Sequence, residues 1–99
     1  MSPQNDTPET QLAVCRERID DLDRRLVALL NERTAIVERI GQVKKEAQLP
    51  VYEPKREDAV YANIAAHNSG PMPNEAVKRI FERIMDEMRK IQRERMVMK

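Results

Sequence analysis

Arg33 stands where a leucine or isoleucine is due. Around it Leu12, Cys15, Ile19, Leu22, Leu26 and Leu29, then Ile36, Ile40, Val43 and Ala47, recur three and four residues apart. That spacing is one face of a long amphipathic helix. A guanidinium keeps its charge, so seating one in an apolar stripe is costly unless an anion meets it. Lys44 lies eleven residues further on. Eleven steps of about 100° make about 1,100°, within about 20° of whole turns, so both cations share one azimuth about 16 Å apart. Their long side chains can converge on a ligand between them. Two further apolar patterns carry the same kind of interruption, with Glu57 beside Val60 and Ile64, and Gln92 following Ile84 and Met88. Arg16, seventeen residues before Arg33, points about 100° away, so it does not readily serve the same pocket from the same chain, though in a dimer it can reach the partner's.

Two cations, a distant third, an amide and a carboxylate suit a small dianion that also bears a hydroxyl. The sequence holds no Ser/His/Asp set, no metal-ligand spacing and no glycine-rich phosphate loop. The one histidine, His67, falls at a helix end and reads as a partner for the helix terminus. Such a site works by charge placement, with no metal and no cofactor. Taken singly, most of these residues have an ordinary explanation: Lys and Arg snorkel from helix faces, and Glu57 in a first turn complements the helix dipole. Arg33 is the exception, because it breaks an otherwise continuous stripe.

The elements that position these residues are helices. Aromatics make up 3% of the chain and charged residues 35%, a mix that favours a helical bundle over a sheet. The net charge of +1 comes from interleaved acids and bases, which argues against nucleic acid as a partner. No stretch is apolar enough for a signal peptide or membrane span, so a cytoplasmic location is expected. Cys15, the single cysteine, reads as a small buried hydrophobe on the stripe.

Residues 1–8 read as a disordered lead-in and 9–99 as a single helical domain. Thr7 or Asp6 is placed to cap the first helix, with Pro8 at its first position. Residues 11–47 form one helix about 55 Å long, against a radius of gyration of about 13 Å for a globule of this length. One copy cannot cover both ends of such a stripe, so a homodimer is expected. Gly41, the one glycine inside this helix, allows close approach of another backbone or a ligand. Pro50 ends the helix. A second helix starts at Pro54 and runs to about His67, with Val60, Ile64 and Tyr61 inward. Asn68-Ser69-Gly70-Pro71 breaks it. Pro73 and Asn74 open a third, whose stripe is Val77, Ile80, Phe81, Ile84, Met88 and Ile91.

At this spacing four motifs coincide: Arg16-Glu17-Arg18-Ile19-Asp20-Asp21-Leu22-Asp23, Leu29-Leu30-Asn31-Glu32-Arg33, Gly41-Gln42-Val43-Lys44 and Pro50-Val51-Tyr52-Glu53-Pro54-Lys55-Arg56-Glu57. Together they resemble the all-helical (AroQ-class) chorismate mutases over about residues 11–95. The resemblance implies an all-α fold of one very long, one short and one medium helix, entwined as a homodimer with two active sites. It implies an isomerase that performs the Claisen rearrangement of chorismate to prephenate, the branch-point step of the shikimate pathway toward phenylalanine and tyrosine. It also implies roles. Arg33 and the partner chain's Arg16 grip the substrate carboxylates, Lys44 meets a carboxylate and the ether oxygen, and Gln92 meets the same oxygen. Glu57 accepts from the ring hydroxyl, and Arg56 and Glu53 line the pocket. Two positions depart from the best-known bacterial member: Glu53 replaces an Asp, and Met88 replaces a small hydroxylated residue and narrows the pocket. Two alternatives stand beside this reading: an isochorismate pyruvate lyase of the same fold, and a non-catalytic helical dimer or regulatory partner of another shikimate-pathway enzyme. Members of the family also occur fused to other enzymes or activated by them.

Overall fold

Thr7 sets where the first helix begins. Its Oγ1 accepts from the Thr10 backbone N–H at 3.1 Å, satisfying one of the donors a helix start leaves open. Pro8 follows at the first helical position, where a missing N–H costs nothing. The computed structural model describes residues 7–97, which are helix or connecting turn throughout. The helices are α1 (Pro8–Ala47), α2 (Pro54–His67) and α3 (Asn74–Val97), the long, short and medium elements expected. Most of the expected lead-in, residues 1–6, lies outside the described residues, and Asp6 with it.

α1 stops before Pro50 acts. The Leu49 N–H donates to the Lys44 carbonyl at 2.8 Å and the Gln48 N–H to that of Lys45 at 3.3 Å. These bonds close a Schellman motif around Gln48, whose φ is 58°. A left-handed residue other than glycine costs about 1–2 kcal/mol, offset here by the two bonds and by the anchoring of the next segment described below. α2 occupies the residues expected of it, and His67 Nδ1 pairs with the Asn63 carbonyl at 2.8 Å at its end. Asn68 braces the following turn: its Nδ2 donates to the Met72 carbonyl at 2.8 Å and Asn74 Oδ1 at 2.6 Å, and its Oδ1 accepts from the Gly70 N–H at 3.1 Å.

The chain divides into two units at Arg33/Thr34. In the first, every described residue before Arg33 is exposed, including Leu12, Ile19, Leu22, Leu26 and Leu29. Cys15 is exposed with them, contrary to the buried position expected of it. The second unit has its own small core of Val37, Val60, Met85 and Met88. On its part of α1 the buried line is Val37, Gly41 and Lys44, while Ile36, Ile40 and Val43 of the apolar stripe are exposed. One residue turns a helix by about 100°, so the face packed within this unit is the flank of the stripe and not the stripe itself. α3 shows the same offset. Its buried residues are Met85, Met88 and Gln92, while Ile80 is exposed and Phe81, Ile84 and Ile91 are half-buried.

Candidate active site

Gly41 and Gln92 explain how α1 and α3 come close enough to make a site. A Cβ on Gly41 would lie 3.0 Å from Gln92 Cγ, tighter than ordinary packing tolerates, and in ordinary contact with Met96 Cγ at 3.6 Å. The expectation of a close approach at this glycine is met, and the approaching element is the helix that carries Gln92. Arg95 of α3 adds a bond to Glu38 of α1, Nε to Oε2 at 2.6 Å.

Lys44 is the centre of the arrangement. It is 7% exposed and Gln92 6%. An ammonium has three donors, and three acceptors surround this one: the Val51 carbonyl at 2.8 Å, Gln92 Oε1 at 3.1 Å and Glu53 Oε1 at 2.8 Å. Gln92 in turn directs Nε2 at the Val37 carbonyl, 3.4 Å away. Among the described residues no buried side-chain nitrogen or oxygen lacks a partner. Lys44 also holds the chain that follows α1, since its own carbonyl closes the helix while its side chain grips Val51. The anion that compensates Lys44 is thus supplied by the chain itself, through Glu53. That carboxylate is half-exposed, which leaves it open to competition from an incoming anion.

The other expected residues fall as follows. Glu57 is half-buried, and its Oε2 accepts from Arg89 Nε at 2.7 Å. Met88 is buried, and its sulfur accepts from Thr34 Oγ1 at 3.4 Å, so the thioether takes a hydroxyl partner across from α1. Arg56 is exposed on α2. Arg16 and Arg33 belong to the first unit, Arg16 exposed and Arg33 half-buried. Lys44 contacts both Glu53 and Gln92 directly, and Met88 lies one turn before Gln92 on α3.

Three participants escaped the sequence reading: Thr34, Tyr52 and Arg89. Arg89 ties Glu57 to Asp86 and Tyr52. Its Nη2 binds Asp86 Oδ1 at 2.7 Å while its Cζ lies 5.6 Å from the centre of the Tyr52 ring. The hydrogen bond to Glu57 raises the Arg89 pKa above its ordinary value, outweighing the opposing effect of burial. In sequence, Asp86-x-x-Arg89 reads as a solvent-exposed i,i+3 pair. Arg89 follows Met85 by four residues and so borders the buried face, but Met85 is not on the stripe the sequence pattern gives. Among the described residues no three His, Cys, Asp or Glu side chains are placed to hold a metal ion.

A buried ammonium and an amide set side by side, with a displaceable carboxylate in front, can bind an anion and stabilise charge growing on an oxygen. Comparison with known proteins puts this geometry in context. A family model described as chorismate mutase type II matches residues 15–93. The bifunctional chorismate mutase/prephenate dehydratase of Neisseria gonorrhoeae is 40% identical over 78 residues, covering 79% of this chain and 21% of that protein. The chain therefore spans about a fifth of the length of the bifunctional relatives it matches. Among solved structures, form II of the chorismate mutase from Thermus thermophilus aligns with a TM-score of 0.82 at 32% identity, over 84% of this chain and 94% of that one. The Helicobacter pylori chorismate mutase, crystallised in complex with prephenate, aligns with a TM-score of 0.83 at 27% identity, over 91% of this chain and 99% of that one.

Proposed function

The chain belongs to the chorismate mutase type II family, and from that premise we propose that it converts chorismate to prephenate, using charge and shape alone. The carrying observation is Lys44, buried, with its ammonium on the Gln92 amide. The rearrangement is unimolecular: the ether C–O bond breaks as a C–C bond forms, so no nucleophile, base or cofactor is required. The protein must hold the enolpyruvyl side chain over the ring, an orientation effect, and meet the negative charge that develops on the ether oxygen. In this reading the substrate displaces Glu53 from Lys44, and the one N–H this frees is shared between a substrate carboxylate and the ether oxygen. Gln92 has two amide hydrogens. One faces Val37, and the second is assigned to the ether oxygen. Glu57 accepts from the ring hydroxyl, Arg33 binds a carboxylate, and Arg56 and Met88 line the pocket.

The active unit is a homodimer, with Arg16 completing the partner's site. Support comes from the unburied stripe of α1. Leu12, Ile19, Leu22, Leu26 and Leu29 are all at least half exposed in the single chain, and each gains about 1.5–3 kcal/mol when fully buried. Isolated helices are marginal in water without such packing, so the first unit needs a second copy. No helix among the described residues is long and apolar enough to cross a membrane, which is consistent with a cytoplasmic enzyme. Incubating the purified chain with chorismate and, separately, isochorismate tests the assignment by product. Prephenate from chorismate is the expected outcome. Inert chorismate alongside cleavage of isochorismate to salicylate and pyruvate overturns it.

A further inference from the structure

Glu57 is not held by the helix that carries it. Its partner is Arg89, across on α3, at 2.7 Å. The two side chains are 18% and 30% exposed, so the carboxylate has given up much of its water and depends on the guanidinium for compensation. Lys44 cannot take that place, because its three donors are engaged elsewhere. Arg89 is itself fixed at a second point. Nη2 binds Asp86, one turn earlier on the same helix, and the guanidinium carbon lies over Tyr52 from the segment between α1 and α2. A planar fork pinned at two edges and covered on a face has little freedom to turn. Because Nε engages Oε2, the other oxygen, Oε1, is the one offered to a hydroxyl.

We infer that Arg89 is a positioning residue that clamps Glu57 so that Oε1 faces the ring hydroxyl of the dianionic substrate. This rests on the mutase reading above. Arg89 acts through Glu57 and needs no contact with the substrate.

The test is a double-mutant cycle on the full chain with chorismate, comparing wild type, Arg89→Ala, Glu57→Ala and the double variant. Circular dichroism and thermal unfolding check each fold. Loss of a charge-assisted hydrogen bond predicts a fall in kcat/KM of about ten- to a hundredfold for Arg89→Ala. In the Glu57→Ala background the same change is expected to cost less than about twofold, since its target is already gone. An equal loss in both backgrounds overturns the inference, because Arg89 then acts independently of Glu57. A loss below twofold in the wild-type background overturns it as well. If Arg89→Ala does not fold, the same cycle is run with Arg89→Lys, which keeps a cation of similar reach. Its loss must again shrink when Glu57 is replaced, and an undiminished loss refutes the clamp. Failure of the mutase reading is seen separately, as absence of prephenate with the wild-type chain, and it takes this inference with it.

Discussion

Replacing Lys44 by alanine separates what this residue does for the reaction from what it does for the fold. Three hydrogen bonds disappear together, to Val51, Gln92 and Glu53. For the reaction, removing one preorganised donor from a developing oxyanion costs about 2.7–4 kcal/mol, or about 10²–10³ in kcat. For the fold, the heaviest loss is at Gln92, 6% exposed, whose Oε1 loses its donor. An unsatisfied buried acceptor costs about 1–3 kcal/mol. Glu53 is half-exposed and returns to water, and removing a buried ammonium relieves its own desolvation. The net destabilisation is therefore about 1–3 kcal/mol, too little to unfold the chain at 25 °C if it has a stability in the usual range. Initial rates of chorismate loss, read beside thermal melts at matched protein concentration, distinguish the two effects. The expected result is a folded variant with turnover down by at least a hundredfold. A folded variant within tenfold of wild type refutes the assignment of Lys44 to the reacting oxygen.

Gly41→Ala places a methyl group 3.0 Å from Gln92 Cγ, so Gln92 must shift; kcat is expected to fall at least tenfold while thermal stability drops by only about 1–3 kcal/mol. Glu53→Ala removes the carboxylate that competes for Lys44. A half-exposed pair is worth at most about 1 kcal/mol, so KM should fall by up to about fivefold with kcat unchanged, and a rise in KM would contradict the displacement step. Arg16→Ala and Arg33→Ala chains, each inactive alone, should regain one intact site per mixed dimer after subunit exchange, and verified exchange without recovered turnover would refute sharing across chains.

The helix limits were readable from residues that punctuate the chain. Thr7-Pro8 and Pro54 gave the starts of α1 and α2, and the Asn68–Pro71 break gave the end of α2. The end of α1 was found for only part of its reason, because no rule marks Gln48 as a left-handed residue; tertiary bonds through Lys44 hold it there. Periodicity identified which helix faces are apolar but not which neighbour covers them. On α1 the apolar stripe and the face packed within the second unit are adjacent strips about one residue apart, and only the second is buried in one chain. Lys44 falls on the buried strip, beside the apolar stripe that Arg33 interrupts. Gln92 was legible because it follows Ile84 and Met88 on the stripe of α3. Arg89 was not, since its importance comes from Glu57, 32 residues away, and a charge next to Asp86 reads as surface.

The most direct measurement is to give the purified chain chorismate and identify the product while following the rate, with the Lys44→Ala chain beside it. Prephenate formed by the wild-type chain, and at most a hundredth of that rate from the variant, is the predicted result. Chorismate left intact by the folded wild-type chain, or converted equally fast by both chains, would contradict the account.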